Sequence, residues 1–272
     1  MTTLDIAFSP CPNDTFVFHA MLHGLINTEP FHFTPYVHDV EDLNMKAFSC
    51  DFRITKLSFY AYLQLSEKYE LLDSGAALGY GCGPLLVARS SNIPISKATI
   101  AIPGRYTTAY LLLKIVYPDV SNIQVARFDE ILPGVQSGRF DAGLIIHEGR
   151  FVYQDYNCVK IIDLGEWWEE ETGMPIPLGC IAIRRDQTTL QYKRDIESIL
   201  VKSIQFAEQN RNASRDFIKS YAQELEDHVI DEHINLYVNE YTLSLGDIGE
   251  RSIHMLKQMA QERRLLTIQR DI

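Results

Sequence analysis

A chain of 272 residues that is 46 % hydrophobic and 22 % charged has enough apolar material for one large α/β unit or two lobes, and no tract polar enough for extended disorder. Its formal charge of −11 argues against nucleic acid and against an anionic membrane as partners, while a small anionic ligand stays open because backbone dipoles can oppose the global field locally. No apolar run approaches a membrane span, residues 1 to 8 carry no signal-peptide pattern, and five widely spaced cysteines without a C-x-x-C pair fit reduced thiols, so a cytoplasmic location is expected.

Residues 4 to 8 read as a first strand. The turn Ser9-Pro10-Cys11-Pro12-Asn13-Asp14-Thr15 is rich in capping residues and leads into a helical run over 16 to 25. Alternation predicts a strand over 31 to 37, a helix over 39 to 48, a strand over 52 to 57 and, after Ser58 as N-cap, a helix over 59 to 66. A repeat of about twenty residues per strand and helix is the signature of a doubly wound parallel sheet.

The pattern changes at Gly79-Tyr80-Gly81-Cys82-Gly83-Pro84, where the strand 85 to 89 leads into a polar connection over 90 to 97. A second α/β series follows: strands at 99 to 103, 123 to 128, 142 to 146 and 159 to 164, helices from Thr107 or Thr108 to Tyr117 and over 130 to 137, and a short helix near Phe151. Ala109, Leu112, Leu113 and Val116 share one helical face and read as core. Glu166, Glu169, Glu170 and Glu171 beside Trp167 and Trp168 read as a charged helix face with two aromatic anchors, a solvated surface or a lid.

The segment from Pro175 to Arg185 echoes that from Gly83 to Arg89, a proline or glycine lead-in followed by an aliphatic strand ending in arginine. Two such strands suggest a two-strand hinge, through which the chain leaves lobe one and returns. Beyond Arg185 the pattern is helical, over roughly 190–208, 213–222, 229–237 and 248–263, and these helices are expected to pack on lobe one. The expectation is an α/β, two-lobed fold like that of type 2 periplasmic binding proteins, with C-terminal helices. Residues 1–89 and 184–272 would form lobe one and residues 90–183 lobe two.

Chemistry is sought at the carboxyl edges of the two sheets. The small and aliphatic run from Ala142 to Ile146, bounded by Gly138 and Gly149, suits a strand buried on both faces of a parallel sheet, with His147 at its tip. A histidine that merely caps the strand is the alternative. Helix starts at Asn13 to Thr15, at Ser58 and at Thr107 with Thr108 could offer unpaired N–H groups to carboxylate oxygens, with Lys56 and Arg105 nearby. Capping without a ligand is the alternative at each. His19 and His23 have a spacing that could hold a metal but lack a third ligand and the H-E-x-x-H pattern, and the remaining histidines and the cysteines receive no role. P-loop, G-x-G-x-x-G, G-x-S-x-G and nucleophilic cysteine motifs are absent.

Four stretches together resemble the 1,4-dihydroxy-6-naphthoate synthase family of menaquinone biosynthesis, in order and spacing over nearly the whole chain. They are Ser9-Pro10-Cys11-Pro12-Asn13-Asp14-Thr15-Phe16, Thr55-Lys56-Leu57-Ser58, Pro103-Gly104-Arg105-Tyr106-Thr107-Thr108-Ala109, and Gly143-Leu144-Ile145-Ile146-His147-Glu148 with Trp167-Trp168. The resemblance implies a lyase, free of metal and organic cofactor, that splits cyclic dehypoxanthinyl futalosine into the dihydroxynaphthoate and a sugar-derived fragment. It also implies His147 as proton acceptor and Lys56, Leu57, Ser58, Thr108 and Ala109 as contacts of a small anionic substrate. Gly149 stands where the family pattern leads one to expect a small hydroxyl residue. Rival readings are a non-catalytic solute-binding protein of the same fold, chorismate dehydratase of the same pathway, and a ligand-sensing domain.

Overall fold

The computed structural model describes residues 1–222 and 226–266. From the N-terminus the chain alternates β1 (Thr2–Phe8), α1 (Pro12–Leu22), β2 (Phe31–Val37), α2 (Val40–Phe48), β3 (Ile54–Ser58) and α3 (Phe59–Leu65), then adds short β4 (Tyr69–Leu71) and β5 (Ala77–Gly79). A second unit holds β6 (Leu85–Ala88), β7 (Ile100–Ile102), α4 (Thr108–Val116), β8 (Ile123–Val125), α5 (Phe128–Gln136), β9 (Ala142–Ile145), α6 (Gly149–Val152), β10 (Val159–Asp163) and α7 (Leu164–Thr172). The return strand β11 (Ile176–Arg184) precedes α8 (Gln187–Leu190), α9 (Lys193–Gln209), α10 (Arg215–Lys219), α11 (Asp227–Tyr237), α12 (Glu240–Leu243) and α13 (Gly246–Glu262).

Two sheets result, one ordered β2-β1-β3-β11-β4 with β5 also on β11, the other ordered β10-β6-β9-β7-β8. Neither is wholly parallel. β1 runs parallel to β2 and β3, but β11 is antiparallel to β3, β4 and β5. In the second sheet β7 is parallel to β8 and β9, while β6 is antiparallel to β9 and β10. The doubly wound parallel sheet expected from the strand and helix repeat is therefore corrected in both lobes. The second surprise is the side on which the two echoing strands fall: β6 joins the second sheet and β11 the first, the reverse of a lobe division at residues 89 and 184. The strands that pair at the crossing are β5 and the start of β11, Ile176 opposite Gly79.

Local chemistry sets the first turn that matters. Cys11 is the extended N-cap of α1 and Pro12 takes the first helical position, where a missing N–H costs nothing, so the helix begins before the Asn13 to Thr15 segment that the capping pattern pointed to. The Thr15 hydroxyl donates to the Cys11 carbonyl at 3.0 Å, which leaves the Cys11 sulfur to other partners. A cluster of Phe8, Phe16, Phe18, Ile199 and Ile204 locks α1 between the first sheet and α9. The largest apolar cluster runs through both lobes, with Leu57 and Phe59 from the first and Leu112 and Trp168 from the second. The late helices do not all stay on lobe one, because α13 packs on α4 as well as on β11. Beside the paired ends of β6 and β10, Gly83 lies against Gly165 at the start of α7 so closely that a Cβ on Gly83 would overlap the Gly165 backbone.

Candidate active site

A cleft of about 640 Å³ lies between the sheets, and Lys56, Leu57, Ser58, Thr108, Ala109 and His147 all line it. Residues separated by up to 91 positions are brought to one cavity by the carboxyl ends of β3 and β9 and the start of α4.

His147 follows β9 in a left-handed conformation, φ 56°, unusual for any residue with a side chain. Such a conformation persists only where its surroundings impose it, and here it carries the ring from the strand tip to the cleft. Nδ1 lies 3.1 Å from the Cys11 sulfur of lobe one, and the Phe128 ring packs edge-on at 5.1 Å. Nε2 is sealed from bulk solvent and has no hydrogen-bond partner among the described residues. Burial drives the imidazole pKa down to about 4, the Lys56 ammonium pushes the same way, and the Asp14 carboxylate opposes both. The ring is therefore neutral near pH 7. Burial, reinforced by Glu148 and Asp14, raises Cys11 well above the ordinary thiol range, so the sulfur stays protonated.

On lobe one Lys56 is engaged. Its Nζ meets Asp14 Oδ1 at 2.7 Å, with both side chains almost completely buried. Asp14 also accepts the Asn13 amide at 2.9 Å, the Ser9 hydroxyl at 2.7 Å and the Ser9 N–H at 3.2 Å. The carboxylate that the turn pattern suggested as a cap is turned back on its own loop. Compensated in this way, Lys56 contributes little free positive charge to the cleft. The hydroxyls differ in the same respect. Ser58 Oγ accepts from the Asn44 amide at 3.1 Å, which leaves its proton to donate. Thr108 Oγ1 donates to the Leu178 carbonyl at 2.7 Å and accepts the Tyr60 N–H at 3.2 Å, stapling α4 to lobe one. Thr107 caps α4 by accepting the Tyr110 N–H at 3.2 Å. What the start of α4 can still offer is the N–H groups of its first turn, those of Thr108 and Ala109, which have no acceptor within the helix.

The lobes are closed. The Glu41 carboxylate of α2 accepts the Tyr106 N–H of lobe two at 3.1 Å, and Asn44 bridges Glu41 to Ser58. Phe48 and Tyr106 stack beside this contact at 4.5 Å. Glu41 lies directly on Gly104, where a Cβ would overlap the carboxyl group. Arg105, by contrast, is exposed and outside the cavity lining.

Several participants carried no sequence signal for this place. Cys11 and Asp14 sit in a stretch read for its helix start and not for its side chains, Glu41 lies within a helix given no role, and His233 lies on a late helix. His233 and Tyr237 of α11 nevertheless line the cleft. His19 and His23 stack on each other at 4.4 Å against Phe217, with no third ligating side chain among the described residues. Trp168 is buried and donates to the Pro175 carbonyl at 3.2 Å, as a core anchor of α7. At Gly149 a Cβ would meet Ile145 at 3.5 Å and Leu132 at 3.6 Å, ordinary contacts, so space does not explain the missing hydroxyl.

Two sheet-based lobes closed on a cleft define a protein of the type 2 periplasmic-binding-protein fold. Solved structures agree: the alkanesulfonate-binding protein SsuA of Xanthomonas axonopodis pv. citri, bound to MOPS, superposes with a TM-score of 0.70 at 12 % identity, covering 98 % of this chain and 95 % of that one. The chain belongs to the menaquinone biosynthesis family, whose sequence model matches residues 4–262. It is 43 % identical over 265 residues to a 1,4-dihydroxy-6-naphthoate synthase of Thermus thermophilus, covering 97 % of this chain and 96 % of that protein. A second protein of that name, from Streptomyces coelicolor, is 40 % identical over 93 % of this chain and 91 % of its own length. A protein of Archaeoglobus fulgidus superposes with a TM-score of 0.92 at 36 % identity, covering 97 % and 98 % of the two chains. No helix among the described residues is long and apolar enough to cross a membrane.

Proposed function

We propose that this chain is a lyase converting cyclic dehypoxanthinyl futalosine to 1,4-dihydroxy-6-naphthoate, with His147 as the general base. The two curated relatives and the family match support the reaction, and one observation carries the base: His147 lines the interlobe cleft and its buried Nε2 has no hydrogen-bond partner among the described residues. In the tautomer that donates Nδ1–H to the Cys11 sulfur, Nε2 keeps the lone pair that the base requires. A neutral imidazole so placed removes an acidic hydrogen next to a carbonyl. Developing enolate charge and the substrate carboxylate then meet the N–H groups of Thr108 and Ala109 and the Ser58 hydroxyl. Apolar contact comes from Leu57, and the Lys56–Asp14 pair supplies a fixed dipole beside the base. Closure of the lobes keeps water from the carbanion, and aromatisation of the product supplies driving force without a redox partner. All five cysteines are free, which fits a reducing cytoplasm.

Incubation with cyclic dehypoxanthinyl futalosine, followed by the absorbance of the naphthoate, tests the reaction; binding of the compound without turnover would favour a solute-binding role instead. His147→Asn should lower kcat by about 10² to 10⁴-fold with little change in substrate affinity. Near-normal turnover in that variant removes His147 from the mechanism.

A further inference from the structure

His233 holds a second unpartnered imidazole nitrogen that the proton transfer does not use. The residue is 1 % exposed, on α11, and lines the same cleft as His147. Its Nε2 lies 3.0 Å from Asn13 Oδ1. Asn13 Nδ2 donates to Asp14 Oδ1 at 2.9 Å, so the amide nitrogen is committed to the carboxylate and Oδ1 can only accept. His233 Nε2 must therefore carry the proton, and Nδ1 is left with a lone pair. That Nδ1 is buried and bonded to nothing among the described residues. The ring cannot turn over to satisfy it, because flipping would break the bond to Asn13, and Tyr237 stacks on the ring at 4.5 Å. Burial, with His147 and Lys56 adding to it, holds the ring neutral by lowering its pKa well below the ordinary value.

A buried, unpaired acceptor on a ring that lines a ligand cavity is matched by a hydrogen-bond donor on the ligand. We propose that His233 Nδ1 accepts a hydrogen bond from a hydroxyl of the sugar-derived part of the substrate, making His233 a specificity residue that fixes this part while His147 Nε2 addresses the acidic hydrogen. The inference rests on the lyase reading for the identity of the hydroxyl-bearing compound. α11 belongs to the C-terminal helices and His147 follows β9 of the second sheet, so the two rings reach the same cavity from different elements.

Two substitutions separate this role from that of holding Asn13. In His233→Gln the amide N–H takes the place of Nε2–H and keeps the Asn13 bond, but the acceptor is gone. In His233→Asn the amide oxygen stands near the place of Nδ1, and the Asn13 bond is lost. Steady-state kinetics with cyclic dehypoxanthinyl futalosine should show KM raised about tenfold in His233→Gln, with kcat altered less, and a clearly smaller rise in His233→Asn. The reverse order, or equal losses, assigns His233 to positioning Asn13 and overturns the proposal. A measurement on the unsubstituted protein guards against misfolded variants: the ¹⁵N resonance of His233 Nδ1 should move when the compound binds, and a resonance unmoved at saturation overturns the proposal as well. If the protein binds the compound without turning it over, the lyase reading fails while a shifted Nδ1 resonance still upholds the His233 contact.

Discussion

The burial that keeps His147 neutral should also make the protein acid-labile in a way that one substitution can isolate. An unfolded-chain histidine titrates near 6.5 and His147 in the folded protein near 4, so between these values the unfolded chain binds the extra proton and stability rises with pH. Stability is undiminished above about pH 6.5 and is lost as pH falls toward 4. At pH 5 the gap from the unfolded value is about 1.5 units, and at about 1.36 kcal/mol per unit His147 costs up to about 2 kcal/mol relative to pH 7. His233 acts in the same direction, so the wild-type loss is larger than this share. His147→Asn removes only the His147 share, and comparing each protein with itself at two pH values cancels any effect of the substitution that does not depend on pH. The assay is urea unfolding at pH 7 and pH 5 followed by tryptophan fluorescence, since Trp168 is fully buried in the lobe that carries His147. The variant should lose about 2 kcal/mol less than the wild type between the two pH values. Equal losses would mean that the His147 ring titrates as if in water, and the account of a desolvated base would fail with it.

The closure contact and the Gly83–Gly165 pair give two further tests. Glu41→Ala removes the acceptor of the Tyr106 N–H and the Asn44 bridge to Ser58, and should raise KM about tenfold while the radius of gyration from X-ray scattering increases; no change in either measure refutes the latch. Gly83→Ala puts a Cβ into the Gly165 backbone, which has no side chain to move aside, and should destabilise the protein by at least about 2 kcal/mol in thermal or urea unfolding. A stability within about 0.5 kcal/mol of wild type would show that the two segments can part at little cost.

The strand and helix alternation was legible because each element from residue 2 to residue 65 is long enough to show its period, and the structure holds every one of them within a few residues of its expected bounds. β4 and β5 were not, since three residues cannot display alternation. The echo between the segments following Gly83 and Pro175 does mark two strands, yet the sheet each joins depends on pairing partners far away in sequence, β9 and β10 for one and β3 to β5 for the other. The site divides along the same line. His147, Ser58 and Thr108 stand at strand tips and helix starts, positions that periodicity identifies. Cys11 meets His147 across 136 positions, Lys56 meets Asp14 across 42 and His233 meets Asn13 across 220, so no local pattern could have joined them.

These long-range contacts imply that the site exists only in the closed arrangement. Cys11, which meets Nδ1 of His147, belongs to lobe one, while His147 itself is fixed to the second sheet, so separating the lobes takes the ring from its partner and returns Nε2 to water. Hydration would let the imidazole pKa rise toward 6.5, giving a stronger base but an unaligned one exposed to competing proton donors. Closure makes the opposite exchange. It lowers the basicity of the resting imidazole and in return sets its Nδ1 against Cys11 and brings the start of α4 and His233 to the same cavity. An anionic substrate whose charge lies near the ring favours the imidazolium once the proton has moved, so the basicity lost on closure is regained only in the loaded cleft. Under the proposed mechanism the lobe architecture thereby ties proton removal to the presence of the molecule that is to be cleaved.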